Sequence, residues 1–362
     1  MDVIDLISTA AKMNASDLQL VVDSPPLVRI HGNLQPISNL SLLTSDDIIQ
    51  ALSQITTAEE RHIFAEELEL DFGYTIPDLG RLRCNAAQQL NGISLAIRLL
   101  PPKIPTIDDL ELPKIFKDLV TEQRGLILVC GPTDSGKSTS TAAMVHHLNT
   151  TGGHHIITIE DPIEYVHDGI KSAITQRQLG KHTHNFPQAL RHVLRQNPDV
   201  IMVGEMRDLE TAAAVLSIAE TGHLILSTSH ASSSPQAIER IVDMFPIHER
   251  HLAQTRLASL LIAVLCQTLV PRADGSGRIA VVEIMLASSS MRSLIREGKI
   301  YQLPNIIRTN RDIGMVSLDE SLVDLYESGM IIWETVLDFC NDPNEVSKLI
   351  SASVAARTKR SR

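Results

Sequence analysis

The apolar positions Val3, Ile4, Leu6, Ile7, Ala10 and Ala11 recur at the spacing of one helical face, so the chain opens on a short amphipathic helix. Two β-rich pieces follow, Leu18-Gln19-Leu20-Val21-Val22 and Leu27-Val28-Arg29-Ile30, the second closed by the turn signal His31-Gly32-Asn33. A helical stretch runs from Thr57 to Glu67. Leu79–Asn85 and the alternating Ile93–Arg98 read as further strands. This mixture predicts an α+β domain over residues 1–100. Pro101-Pro102-Lys103-Ile104-Pro105 is stiff and extended, which makes 101–112 a linker and a hinge region. Over 113–287 the pattern changes. Four apolar runs, Leu126–Cys130, His155–Ile159, Val200–Val203 and Leu224–Thr228, alternate with helical segments, as in a parallel sheet covered by helices. Residues 288–349 read as a helical C-terminal part punctuated by Gly298, Gly314 and Gly329.

Charge and cysteine usage narrow the function classes. A net charge of −11 argues against broad nucleic-acid binding. The one basic cluster, Arg357, Lys359, Arg360 and Arg362, lies in a tail (350–362) expected to be disordered and solvated. Cys84, Cys130, Cys266 and Cys340 are far apart and form no C-x-x-C pair, so a zinc knuckle is not expected and a reducing cytosol fits. The histidine pairs His146-His147 and His154-His155 lack metal-ligand spacing. The N-terminus is acidic, without the basic region of a signal peptide, and no apolar run approaches a membrane span. Membrane association is therefore expected only through a partner.

The chemistry starts at Gly131-Pro132-Thr133-Asp134-Ser135-Gly136-Lys137-Ser138, which fits G-x-x-x-x-G-K-[ST] between an apolar run and a helical segment. Glycines let such a loop curl its N–H groups toward phosphate oxygens, and the following helix adds partial positive charge. Lys137 would reach the β- and γ-phosphates, and Ser138 would ligate Mg²⁺. Asp134 is discordant, because it sets a carboxylate beside the polyphosphate. The next apolar run ends in Glu160-Asp161-Pro162-Ile163-Glu164, and another in Gly204-Glu205. Acids at strand ends sit where ligands of α/β sheets bind. Glu205 would hold Mg²⁺, and either Glu160 or Glu164 would polarise the attacking water. The alternative for each is a helix-capping acid. His230, after the fourth run, is a candidate γ-phosphate sensor.

These blocks together resemble the type II/IV secretion ATPase superfamily, and within it the PilT-type twitching-motility ATPases. Ala15-Ser16-Asp17-Leu18-Gln19-Leu20 is similar to the opening motif, with Gln19 where His is common. Gly80-Arg81-Leu82-Arg83-Cys84-Asn85 resembles a G-R-x-R-x-N strand. Ile159–Glu164 resembles the Asp box, Val203–Thr211 the Walker B block and Ala219–His230 the His box. The resemblance implies an α/β fold with a RecA-like P-loop ATPase core, an N-terminal PAS-like α+β domain and a helical C-terminal part. It implies a homohexamer with ATP between the two domains, on Lys137, Ser138 and Thr139. Glu164 would be the general base, Glu205 a Mg²⁺ holder, and Arg81, Arg83 and Arg98 nucleotide contacts across domains or subunits. Arginine suits that role through its permanent charge and forked donors.

Ser290-Met291-Arg292-Ser293-Leu294-Ile295-Arg296-Glu297 resembles the A-I-R-N-L-I-R-E motif of retraction ATPases, with Ser-Met for Ala-Ile and Ser for Asn. Ser229-His230-Ala231 departs from the usual T-L-H-T/S. The leading expectation is a cytoplasmic hexameric ATPase that powers type IV pilus retraction and acts on an inner-membrane platform protein. The competing expectation is a weakly hydrolysing ring subunit that assists a paralogous pilus ATPase, or a related type II secretion ATPase. Its motive is Asp134 where the family typically has Gly, since a side chain there would crowd the loop and repel phosphate. A DNA-translocating motor is disfavoured by the acidic balance and the scarcity of aromatics.

Overall fold

The structure is a computed structural model. It describes residues 2–30, 32–77, 79–100 and 103–360, and the side chains of all of these except 352–360. His31 of the expected turn, Pro101-Pro102 of the linker and the basic side chains of the tail lie outside the described residues. The chain divides into two compact units: Met1–Ile104 with Pro162–Val166, and Pro105–Asp161 with His167–Arg362.

In the first unit, six strands form a sheet in the order β3-β2-β1-β6-β5-β4. They are β1 (Asp17–Leu20), β2 (Leu27–Ile30), β3 (Asn33–Pro36), β4 (Glu69–Ile76), β5 (Gly80–Gln89) and β6 (Gly92–Leu99). Neighbouring strands run antiparallel. Alternation puts Leu18, Leu20, Val28, Leu82, Cys84, Leu95 and Ile97 on one face, buried against helices Val3–Lys12 and Ser45–Ile55. The expected helix from Thr57 is Ala58–Glu67, with Thr57 as N-cap in a reciprocal box with Glu60. The opposite face carries a row of charge in direct cross-strand register: Arg29, Asp17, Arg98 and Arg83. The sequence reading missed β3, β4 and the helix Ser45–Ile55. β3 is exposed at every position, so it carries no periodic burial signal.

The second unit is built on a seven-stranded sheet, ordered β13-β12-β7-β11-β10-β8-β9. Its members are β7 (Gly125–Cys130), β8 (His155–Glu160), β9 (Ala173–Gln178), β10 (Val200–Val203), β11 (Leu224–Ser229), β12 (Leu261–Pro271) and β13 (Arg278–Leu286). All pairings are parallel except β12 with β13. Every residue of β7, β10 and β11 is buried, because helices cover both faces. Leu126, Leu128, Ile157, Ile201 and Ile225 join the core under helices Leu209–Glu220, Ser234–Asp243 and Arg250–Leu260. Ile127, Val129, Ile156, Met202 and Leu226 face the other way, onto Phe116 and the helix Lys137–Thr151.

The four expected core strands are present. β9, β12 and β13 went unread: β9 is polar, and the run Leu261–Cys266 fits a buried helix as well as a strand. Residues 288–349 belong to this unit rather than standing apart, since Leu322, Val323 and Val336 share a core with Val270, Ile279 and Val281. The backbone of residues 350–360 continues the final helix, Pro343–Arg360, and residues 361–362 of the tail lie outside the described residues. Among the described residues, no helix is long and apolar enough to cross a membrane.

Ile201 is fully buried in the middle of the sheet. Ile201→Ala is expected to cost about 2–5 kcal/mol of stability, read as a lower midpoint in denaturant unfolding.

Candidate active site

Parallel pairing brings four strand ends to one edge of the second unit. β7 lies beside β11 with Cys130 opposite Ser229, β11 beside β10 with Ser227 opposite Val203, and β10 beside β8 with Val203 opposite Ile159. The loop Gly131–Gly136 leaves β7 and enters the helix Lys137–Thr151, whose N-cap is Gly136. Gly131 and Gly136 have φ of 148° and 85°, in the region that favours glycine. Lys137 is 8% exposed, and its Nζ donates to the carbonyls of Gly131 at 2.8 Å and Pro132 at 2.6 Å. The ammonium is therefore held against the inner side of the loop. Ser138 and Thr139 follow in the first helical turn, with Ser138 exposed. Pro132, Thr133 and Asp134 form the exposed crest of the loop, while Ser135 is buried. Asp134 adopts a left-handed φ of 62°.

Glu205 follows β10 after Gly204. Its Oε2 accepts from Arg207 Nε at 2.6 Å, and its Oε1 lies 3.4 Å from His230 Nε2. Arg207 also reaches Asp161 at 3.7 Å, which ties the end of β8 to the end of β10. The bond from Glu205 holds the Arg207 guanidinium still more firmly in its charged form. Thr228 Oγ1 donates to the carbonyl of Gly204, which keeps the Gly-Glu turn against β11. A Cβ on Gly204 would stand 3.2 Å from the Ile159 carbonyl, so glycine lets β8 and this turn approach closely. His230 is anchored through its own carbonyl, which accepts from Arg240 Nη1 at 2.6 Å.

The two glutamates of the 160–164 segment have different surroundings. Glu160 is buried at 7% exposure, and its Oε1 accepts from Thr158 Oγ1 at 2.5 Å and Gln176 Nε2 at 3.0 Å. Glu164 belongs to the first compact unit, where Arg83 Nη1 lies 3.5 Å from its Oε1. Arg81 Nε donates to the neighbouring Ile163 carbonyl at 2.8 Å. The Arg81 guanidinium lies over Gly73, where a Cβ would meet Arg81 Nη2 at 2.5 Å. Arg98 donates to Asp17 Oδ1 at 3.0 Å across the β1–β6 pair. The structure thus brings Glu205 together with His230, and Arg83 with Glu164.

Three participants escaped sequence reasoning as site residues: Arg207, Thr158 and Gln176. Arg207 sits inside the Gly-Glu block and was readable as its counter-charge. Thr158 points from an apolar strand two residues before an acid, a weak signal. Gln176 lies on β9, a strand that the pattern did not reveal, and only pairing places it here.

The donor set suits a nucleoside triphosphate: a glycine-curled loop, a buried lysine, two hydroxyls at a helix N-terminus and a facing carboxylate. Comparison with known proteins agrees. The profile of the family described as type II/IV secretion system protein matches residues 6–337. The "Type IV pilus retractation ATPase PilT" of Pseudomonas aeruginosa is 41% identical over 343 residues, covering 95% of this chain and 99% of that protein. A "Twitching motility protein" of Neisseria gonorrhoeae is 39% identical over 329 residues, 91% of this chain and 88% of that one. Among solved structures, the "Pilus Retraction Motor PilT and Bound ADP" superposes with a TM-score of 0.87 at 37% identity, covering 96% of this chain and 99% of that one.

Next to this site, His167 gives the second unit a pH dependence. Its backbone N–H donates to Gln176 Oε1 at 2.8 Å, and its ring Nδ1 is buried without a hydrogen-bond partner. Burial lowers its pKa to about 4 from 6.5, with His146 adding a smaller push in the same direction. The unfolded chain therefore takes up this proton first as pH falls. Stability is expected to drop from pH 6.5 toward 4, by up to about 3 kcal/mol from this group. Urea unfolding across that range should show a flatter dependence in His167→Leu.

Proposed function

The chain belongs to the type II/IV secretion system protein family and is a P-loop ATPase, and we propose that it is the hexameric motor whose ATP hydrolysis powers retraction and disassembly of a type IV pilus in twitching motility. The near-full-length likeness to retraction ATPases, with the phosphate loop and the Glu205–His230 pair on one sheet edge, carries this reading. Its proposed setting is the cytoplasmic side of the inner membrane, reached through a pilus platform protein. Retraction rather than extension is supported by the Ser290–Glu297 block. Met291 is fully buried there, so it fills the core position of the isoleucine it replaces at similar volume. Arg292 Nη1 donates to the Ser259 carbonyl at 2.7 Å and so caps the end of helix Arg250–Leu260.

In this reading backbone N–H groups of the loop after Pro132 and of the first helical turn bind the phosphate oxygens, and Lys137 neutralises charge that builds on them. Ser138 and Glu205 would hold Mg²⁺, which when bound supplies further neutralisation of the β- and γ-phosphates. Arg207 holds the Glu205 carboxylate in place. Glu164 accepts the proton of the attacking water and aligns it for in-line displacement, while Arg83 keeps the Glu164 carboxylate poised. His230, paired with Glu205, registers the γ-phosphate. Arg81, Arg83 and Arg98 add positive charge for the triphosphate in the assembled ring.

A second reading rests on one observation, the left-handed φ of Asp134 on the exposed crest of the loop. Aspartate tolerates that conformation at a cost of about 1 kcal/mol relative to glycine, and its carboxylate repels phosphate. The chain would then be a weakly hydrolysing ring subunit that assists a paralogous motor.

Steady-state ATPase assays separate these readings. Glu164→Gln should keep nucleotide binding and lower turnover by roughly 10²-fold or more; equal turnover in wild type and variant would sink the motor chemistry. Asp134→Gly should leave the activity of a full motor within about twofold, whereas a tenfold rise identifies an impaired subunit.

A further inference from the structure

Gln267 lies against both glycines of the phosphate loop, with Ser135 Oγ also 2.4 Å from where a Cβ on Gly131 would stand. β12 runs parallel to β7 with Cys266 opposite Cys130, so Gln267 stands beside the point where the loop departs. A Cβ on Gly131 would lie 2.2 Å from the Gln267 carbonyl oxygen, and one on Gly136 would lie 2.7 Å from Gln267 Nε2. The side chain is 3% exposed and bonded at both ends of its amide. Nε2 donates to the Ser135 carbonyl at 2.7 Å, and Oε1 accepts from Ser140 Oγ at 2.7 Å. The orientation of the amide follows from its partners, since a carbonyl can only accept.

We propose that Gln267 is a positioning residue for ATP binding, acting through the Ser135–Gly136 peptide. In a trans peptide the C=O and the following N–H point in opposite directions. Drawing the Ser135 carbonyl into the core toward β12 therefore turns the Gly136 N–H outward, into the concave side of the loop where phosphate oxygens bind. The second bond, to Ser140, ties the same amide to the first turn of the helix, whose Ser140 N–H already donates to the Gly136 carbonyl at 2.9 Å. One buried amide thus sets loop and helix N-terminus at a fixed angle before nucleotide arrives. Only glutamine meets the demand: one donor and one acceptor, at this reach. Glutamate would set an oxygen against the Ser135 carbonyl, methionine bonds neither partner, and asparagine is a methylene short.

The inference rests on residues 131–138 being the ATP phosphate loop, and the experiment keeps the two apart. Full-length wild type, Gln267→Glu, Gln267→Met, Ser140→Ala and Lys137→Ala are compared for KM and kcat with ATP, for affinity toward a fluorescent ADP analogue, and for unfolding midpoint. Gln267→Met covers the case in which the buried charge of Gln267→Glu prevents folding. Both Gln267 variants are expected to raise KM and weaken ADP binding by about tenfold or more, with a smaller loss in kcat. Ser140→Ala, which keeps the Ser135 bond, should change KM by less than about threefold. Wild-type KM and ADP affinity in a folded Gln267 variant overturns the proposal, as does a loss confined to kcat or to the unfolding midpoint. If Lys137→Ala binds and hydrolyses as wild type does, the loop assignment itself has failed.

Discussion

Everything at the site depends on the parallel register of β7, β11, β10 and β8. Parallel strands end at the same edge, so the loop after β7, His230 after β11, Glu205 after β10 and Glu160 closing β8 become neighbours while lying far apart in the chain. The register is held from both sides. Successive residues of each strand enter different cores, Leu126 and Leu128 in one and Ile127 and Val129 in the other. A slip by one residue would exchange the two sets against helices shaped for the other. Burial that stabilises the sheet is thus the same burial that aligns the chemistry.

Within each unit, acidic groups are held by specific partners. Glu205 is bracketed by Arg207 and His230, Glu160 by Thr158 and Gln176, Glu164 by Arg83, and Asp17 by Arg98 and Arg29. A carboxylate removed from water needs such donors to satisfy its oxygens and fix its orientation. In a chain of net charge −11, pairing offsets the repulsion that Glu160 and Glu205 would exert at the sheet edge of the second unit, which must receive a polyanion. Asp134 stands on the exposed crest of the loop itself, with its backbone in the conformation that glycine adopts most easily.

Much of this was legible in sequence because the relevant signals are local. The four central strands are short continuous apolar runs, and the phosphate loop is a contiguous pattern whose glycines are needed for local backbone geometry. The first helix and the helix after Thr57 declare themselves through periodicity and a capping box. The helix Ser45–Ile55 was missed despite its Thr44–Asp47 capping box, but several hidden strands had no local signature. β9 is a polar edge strand, β12 reads equally as a buried helix, and β3 is exposed throughout.

The amino-acid sequence alone determined that the chain has a phosphate loop, which acids end its strands, and which family those blocks resemble, because each is a matter of neighbours along the chain. Only the tertiary structure decided who faces whom. It separated Glu160, locked between Thr158 and Gln176, from Glu164, which sits with Arg83 in the other compact unit. It also placed Gln267, more than a hundred residues downstream, against both glycines of the loop. The physical reason is that strand pairing acts between distant segments, and no local pattern records which strand will lie beside which.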